Sequence, residues 1–218
     1  MRPSTFIITT LASIVTCGLA AIATPAAAQP PPAEEQIAAA ILVAPSGQRA
    51  GAGVLGYDDS GALVLLRAGT NELLCLADDP QRDGFQAACY HRALEPFMAR
   101  GRALRNEGVK SGLERTARRW REVEAGELSM PDHPTTLHIL AGAGFDPARG
   151  EVLEPYRRWV IYVPYATAET TGLPTASEPG APWLMMPGTP SAHIMITPPR
   201  PAEKKQQPKG EAPRSPRR

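Results

Sequence analysis

The sequence predicts an α+β domain: an antiparallel β-sheet, made of an N-terminal meander plus C-terminal strands, with two consecutive helices packed on one face. Three observations predict it. Short runs of strand-forming residues separated by turn signals fill residues 54–90. Two helical segments with start and stop signals follow between residues 96 and 126, and strand-like runs return at 136–140, 159–164 and 192–197. Runs of strands, then helices, then strands read as helices on an antiparallel sheet, whereas the alternating units of a doubly wound parallel sheet are absent.

The elements follow in chain order. Residues 1–28 read as an export signal. Arg2 gives a positive start, residues 6–23 are apolar or small, and Pro25-Ala26-Ala27-Ala28 offers a small-residue processing site before Gln29. A lipoprotein box ending at Cys17 is the competing reading, but Thr16 is bulkier than the residue that box requires. The mature chain is therefore expected to be periplasmic or secreted. No other apolar run approaches the length of a membrane span.

Residues 29–33 form a Pro-rich leader. Residues 34–43 have helical composition, with Ile37, Ala40 and Ile41 on one side and Pro45 beyond the end. Asp58-Asp59-Ser60-Gly61 joins residues 54–57 to 62–67 as a hairpin, residues 68–71 turn into 72–77, and the acidic loop 78–84 turns into 85–90. Pro96 is expected in the first turn of a helix whose buried stripe is Phe97, Met98, Gly101 and Leu104, with Gly108 as its stop. Ser111 and Glu114 form a capping-box pattern opening a second helix, anchored by Trp120 and ended by Gly126. Residues 167–190 are rich in Pro and Gly and too long for an ordinary connection, so they read as a packed loop or a flap.

Removal of the signal leaves two cysteines, Cys75 and Cys89. In an oxidising compartment they are expected to bond to each other, closing a 15-residue loop. Chain entropy alone gives such a closure about 3 kcal/mol.

Charge is distributed unevenly. Residues 29–197 carry 15 basic and 20 acidic side chains, while residues 198–218 carry seven Lys or Arg, two Glu and six Pro. The tail cannot bury enough apolar surface to fold and reads as a disordered basic segment suited to an anionic envelope surface. An acidic body of this kind is not a nucleic-acid-binding domain.

The candidate motifs are weak. Gly51-Ala52-Gly53-Val54-Leu55-Gly56 has the dinucleotide-binding spelling, but a hairpin follows where a helix is needed, so the glycines read as a loop entering a strand. Asp79, Asp83 and Gly84 echo a calcium loop, yet Gln81 and Tyr90 stand where ligands are required. Of the four histidines, His91, His133, His138 and His193, three (His91, His138 and His193) would suit zinc if their strands converged, with Glu95 as an added carboxylate. Their spacing does not demand it. No G-x-S-x-G elbow occurs, and a Cys89–His91 pairing would require Cys75 to be free. Arg115, Arg118, Arg119 and Arg121 read as a solvated face with i,i+4 partners.

Aromatic residues concentrate late in the chain. On a strand Trp159 and Ile161 face one side, Val160 and Tyr162 the other, and His193 shares a side with Met195. Trp159, Tyr162, Trp183 and His193 are accordingly the candidate pocket beneath the 167–190 segment.

The segments Pro164-Tyr165-Ala166-Thr167, Gly172-Leu173-Pro174, Trp183-Leu184-Met185-Met186-Pro187-Gly188-Thr189-Pro190 and Ala192-His193-Ile194-Met195-Ile196 resemble a pattern in a group of exported bacterial proteins without an assigned activity. The stretch from Gly69-Thr70-Asn71 to Asp79-Pro80 is similar to the same group. This resemblance implies export and no site residues. The sequence thus predicts an exported, non-enzymatic binding or envelope-associated module of unspecified small-molecule ligand, with a metal-dependent hydrolase using zinc as the alternative.

Overall fold

The computed structural model describes residues 29–200; the expected signal, Cys17 and most of the basic tail lie outside the described residues. Helix α1 (Ala33–Ile41) precedes strands β1 (Gly53–Tyr57), β2 (Leu63–Arg67), β3 (Leu73–Leu76) and β4 (Phe85–His91). Helices α2 (Glu95–Asn106) and α3 (Gly112–Glu124) follow. The rest comprises β5 (Thr135–Gly142), the small hairpin β6 (Gly144–Asp146) and β7 (Glu151–Leu153), β8 (Tyr156–Tyr162), α4 (Ala168–Thr171), β9 (Pro182–Met185) and β10 (His193–Ile196). Eight strands make one mixed, mostly antiparallel sheet in the order β2-β1-β3-β4-β5-β8-β10-β9. The α+β class is as expected.

The first four strands are not a simple meander. β1 and β2 form the expected hairpin, but β3 pairs with the other side of β1, in parallel. The chain leaves β2 beside the start of β1 and crosses over it. Two glycines let it cross: a Cβ on Gly69 would lie 2.5 Å from the Gly53 nitrogen. The Gly51 carbonyl then accepts from the Thr70 and Asn71 amides (2.7 and 3.1 Å), and the Arg67 guanidinium donates to the Ala52 and Arg49 carbonyls. The glycines of the G-x-G-x-x-G spelling therefore serve chain crossing and packing at the entrance to a strand. Gly56 likewise leaves room for Leu66 and the Gln36 amide.

The helices divide between the two sheet faces. α1 lays Ala39 and Ala40 on Val54, Cys75, Ala87, Cys89 and Leu140. Gln36, 5% exposed, fixes its angle: the side-chain amide donates to the Tyr57 and Pro31 carbonyls and accepts from the Tyr57 N–H. Arg49 and Arg157 donate to carbonyls at the C-terminal end of α1. Their acceptors are the C-cap Leu42 and the two residues after it, where the cations complement the helix dipole.

On the opposite face, Met98 of α2 packs with Leu74, Tyr90, Leu94, Val160 and Tyr162. Gly108, at φ 88°, ends α2 as expected. Its N–H bonds to the Arg105 carbonyl and that of Val109 to the Leu104 carbonyl, with Leu104 and Val109 both buried. Ser111 caps α3 by accepting from the Glu114 amide at 3.2 Å, while the Glu114 carboxylate turns to Arg118. Arg100 of α2 clamps Glu122 of α3 through both carboxylate oxygens. α3 meets the body through Trp120 and Arg119 near its middle, and Leu113 in its first turn is 80% exposed.

The 167–190 segment is a packed connection. Thr167 and Thr170 form a capping box at α4, and Gly172 ends it at φ 68°. β9 then adds an edge strand to β10. The Tyr165 amide bonds the Thr189 carbonyl, and the Gly188 amide the Ala166 carbonyl, which ties the two ends together.

Cys75 and Cys89 are directly opposed on β3 and β4 and are disulfide-bonded, with Cα atoms 3.9 Å apart and no solvent exposure. Replacing both by alanine should lower stability by about 3 kcal/mol, read from the urea midpoint and slope. Gly69→Ala should cost about 1–3 kcal/mol by forcing the crossing chains apart, in the same measurement.

Candidate functional site

In the antiparallel register, directly opposed residues share a face of the sheet. One row therefore carries Thr135, Tyr162, His193 and Met185, and the next carries Leu137, Val160, Met195 and Trp183. Cys89, His138, Trp159 and Ile196 form a row on the other face. Of the four residues expected to line a pocket, Tyr162, Trp183 and His193 share the α2 side, whereas Trp159 points to the α1 side and is 38% exposed there. The three candidate zinc ligands do not converge either. His138 and His193 stand on opposite faces, and His91 closes the end of β4, where its Nδ1 accepts from the Ala93 amide. Among the described residues, no three His, Cys, Asp or Glu side chains are placed to hold a metal ion.

His193 belongs to a packed cluster. Its Nδ1–H donates to the Ser191 carbonyl at 2.7 Å, and its ring lies 5.1 Å from that of Tyr162. Tyr162 meets Phe97 edge-on, and the Arg119 guanidinium stacks 4.0 Å from the Phe97 ring centre. Trp120 Nε1 donates to Ser191 Oγ at 2.7 Å, so α3 and the turn before β10 are joined beside His193. Burial holds the His193 pKa below its ordinary value and pushes that of Tyr162 up. Tyr90, Glu95 and Arg102 make a second wired group: Tyr90 Oη donates to Glu95 at 2.6 Å, and Arg102 donates to both. Glu95 thus spends its carboxylate oxygens on Tyr90 and Arg102. Both groups tie helices to the sheet.

The cleft lies elsewhere, on the α1 side at the sheet end where β1 and β3 finish and β4 starts. It holds about 290 Å³ between the N-terminal leader, α1, the β3–β4 loop and β6–β7. Phe85, Phe145 and Ala39 supply its apolar lining, with the two phenyl centroids 6.4 Å apart. Its charged groups are Glu35, Asp78 and Arg82. Asp78 Oδ1 accepts from the Gln86 amide at 2.8 Å, which fixes the carboxyl, and burial raises its pKa. Asp79, taken in the sequence for part of a calcium-loop echo, spends Oδ1 on the Gln81 amide. Gln36 also lines the cleft, but its amide is occupied by backbone partners. Sequence reasoning located the acidic loop and missed the cleft, because Phe145 arrives on a hairpin that only the turn Asp146 and Gly150 could have signalled. Asp146 accepts from the Ala148 and Arg149 amides there.

A shallow basin between α2 and α3 is lined by Arg100, Glu114, Arg118, Arg121, Glu122 and Glu127. Its main cations are already paired, Arg100 with Glu107 and Glu122, and Arg118 with Glu114.

No family model, curated protein or solved structure matches the chain.

The pH dependence follows from His193 and His138, both held below 6.5 by burial. A depressed histidine pKa means that the unfolded chain takes up the proton first. The stability they contribute is present above pH 6.5 and falls as the pH drops through that value toward the folded-state pKa. The urea midpoint should fall between about pH 7.5 and about pH 5.5, and His193→Gln should flatten that slope while costing about 1–2 kcal/mol at neutral pH.

Proposed function

We propose that the chain is an exported, non-enzymatic binding module that associates with the cell envelope. The observation that carries this reading is the solvent-free Cys75–Cys89 bond at the middle of the sheet. Such bonds persist in oxidising compartments and are uncommon in the reducing cytosol. The signal-like residues 1–28, and the resemblance of the C-terminal segments to exported proteins, favour the same compartment. Among the described residues, no helix is long and apolar enough to cross a membrane.

The basic tail supplies the envelope contact in this reading. Its start is held by the domain: Tyr156 Oη donates to the Pro198 carbonyl at 2.7 Å, and the Arg200 guanidinium lies 4.8 Å from the Tyr156 ring centre. Ordered contacts thus run three residues past the expected domain end at Thr197. In this reading the remaining Lys and Arg of the tail supply the positive charge that meets an anionic surface, at a cost in salt sensitivity.

Fractionation and intact mass check this together. The mature chain should appear outside the cytoplasm, begin at Gln29 and take up no alkylating reagent before reduction. A cytoplasmic chain that retains residues 1–28, with Cys75 and Cys89 both reactive alongside Cys17, would refute export. Truncation after Arg200 should leave the thermal midpoint unchanged and abolish binding to vesicles containing anionic lipid at low salt. Undiminished vesicle binding by the truncated chain would refute the role of the tail.

A further inference from the structure

The cleft beside α1 presents three kinds of chemistry at once. Asp78 and Glu35 offer carboxylates, Arg82 a guanidinium, and Phe85 with Phe145 an apolar wall. None of these three charged side chains is in an ion pair among the described residues. Asp78 is anchored through one oxygen by the Gln86 amide, which leaves the other for a ligand. At about 290 Å³ the space sits at the lower end for small-molecule sites, so an oligosaccharide or a lipid is too large. Carboxylates call for a cation and the guanidinium for an anion, and charge-assisted bonds in a partly desolvated cleft are the strong ones.

We propose that this cleft binds a zwitterion of amino-acid size with an apolar side chain. Its ammonium sits on Asp78 and Glu35, its carboxylate on Arg82, and its side chain on the Phe85–Phe145 pair. The assignment deepens the binding-module reading and rests on it, but not on export, since the purified mature chain tests it in any compartment.

Titration calorimetry with L-phenylalanine, phenethylamine and hydrocinnamate separates the parts. The three probes share the ring and differ in which charges they keep. L-phenylalanine should bind saturably at one site, and each single-charge probe should bind at least about tenfold more weakly. Asp78→Asn, whose amide oxygen can still accept from Gln86, should weaken L-phenylalanine by about tenfold or more, and so should Arg82→Gln. Arg82 is exposed in a loop, so its variant will fold and the result stays decisive. Absence of saturable binding of L-phenylalanine up to about 10 mM, or binding indifferent to both variants, would overturn the proposal. Phenethylamine binding as tightly as L-phenylalanine would overturn the zwitterion assignment, because Arg82 would then contribute nothing.

Discussion

The pairing of β3 with β4 is the join on which the rest of the sheet depends. Within the sheet, β1 and β2 are joined to the other strands through the parallel pairing with β3, and β5, β8, β10 and β9 through β4. Cys75 and Cys89 cross that join at opposed positions, and Cys89 Sγ lies 3.5 Å from the Ala40 carbonyl of α1. The bond closes the loop that carries Asp78, Arg82 and Gly84. One covalent constraint therefore fixes the strand register, the seat of α1 and one wall of the cleft. Register matters because a slip of one residue would exchange the two faces of every strand beyond it.

The alternation that follows decides which chemistry can meet. Along β5, β8 and β10, odd and even positions go to different helices, so residues adjacent in sequence are separated by the thickness of the sheet. This is why Trp159 cannot join Tyr162 and His193, and why His138 and His193 cannot share a metal ion. Several polar groups on the α2 side are engaged in joining the helices to one another and to the sheet: Trp120 to Ser191, Arg119 to Phe97, Arg102 to Glu95 and Tyr90. The α1 side keeps Glu35, Asp78 and Arg82 outside any ion pair among the described residues, where the leader, a loop and a hairpin meet at the end of the sheet.

Much of the fold was legible in the sequence because local signals agreed with tertiary contacts. Pro96, Gly108, Ser111 and Gly126 bound their helices as their chemistry requires, and the strand alternation at 159–162 and 192–197 gave the correct faces. Three features were not legible. The crossing of β2 to β3 depends on Gly69 meeting Gly53, a contact between a loop and the first residue of β1. β9 hides in a segment whose prolines and glycines read as irregular, and edge strands tolerate such residues because one side needs no partner. The cleft depends on Phe145, which is brought to Phe85 by pairing rather than by spacing. The acidic loop was visible as a charge pattern, but a charge pattern does not show what stands opposite it.

Amide hydrogen exchange on the oxidised and the reduced protein tests the dependence on the β3–β4 join most directly, because it reads local opening residue by residue. The account predicts that reduction accelerates exchange first in β3, β4 and α1 and in the loop carrying Asp78. Protection in β8 and β10, held by α2 and α3 on the other face, should fall later. Reduction that leaves β3, β4 and α1 as protected as before, or that opens β8 and β10 first, would contradict it.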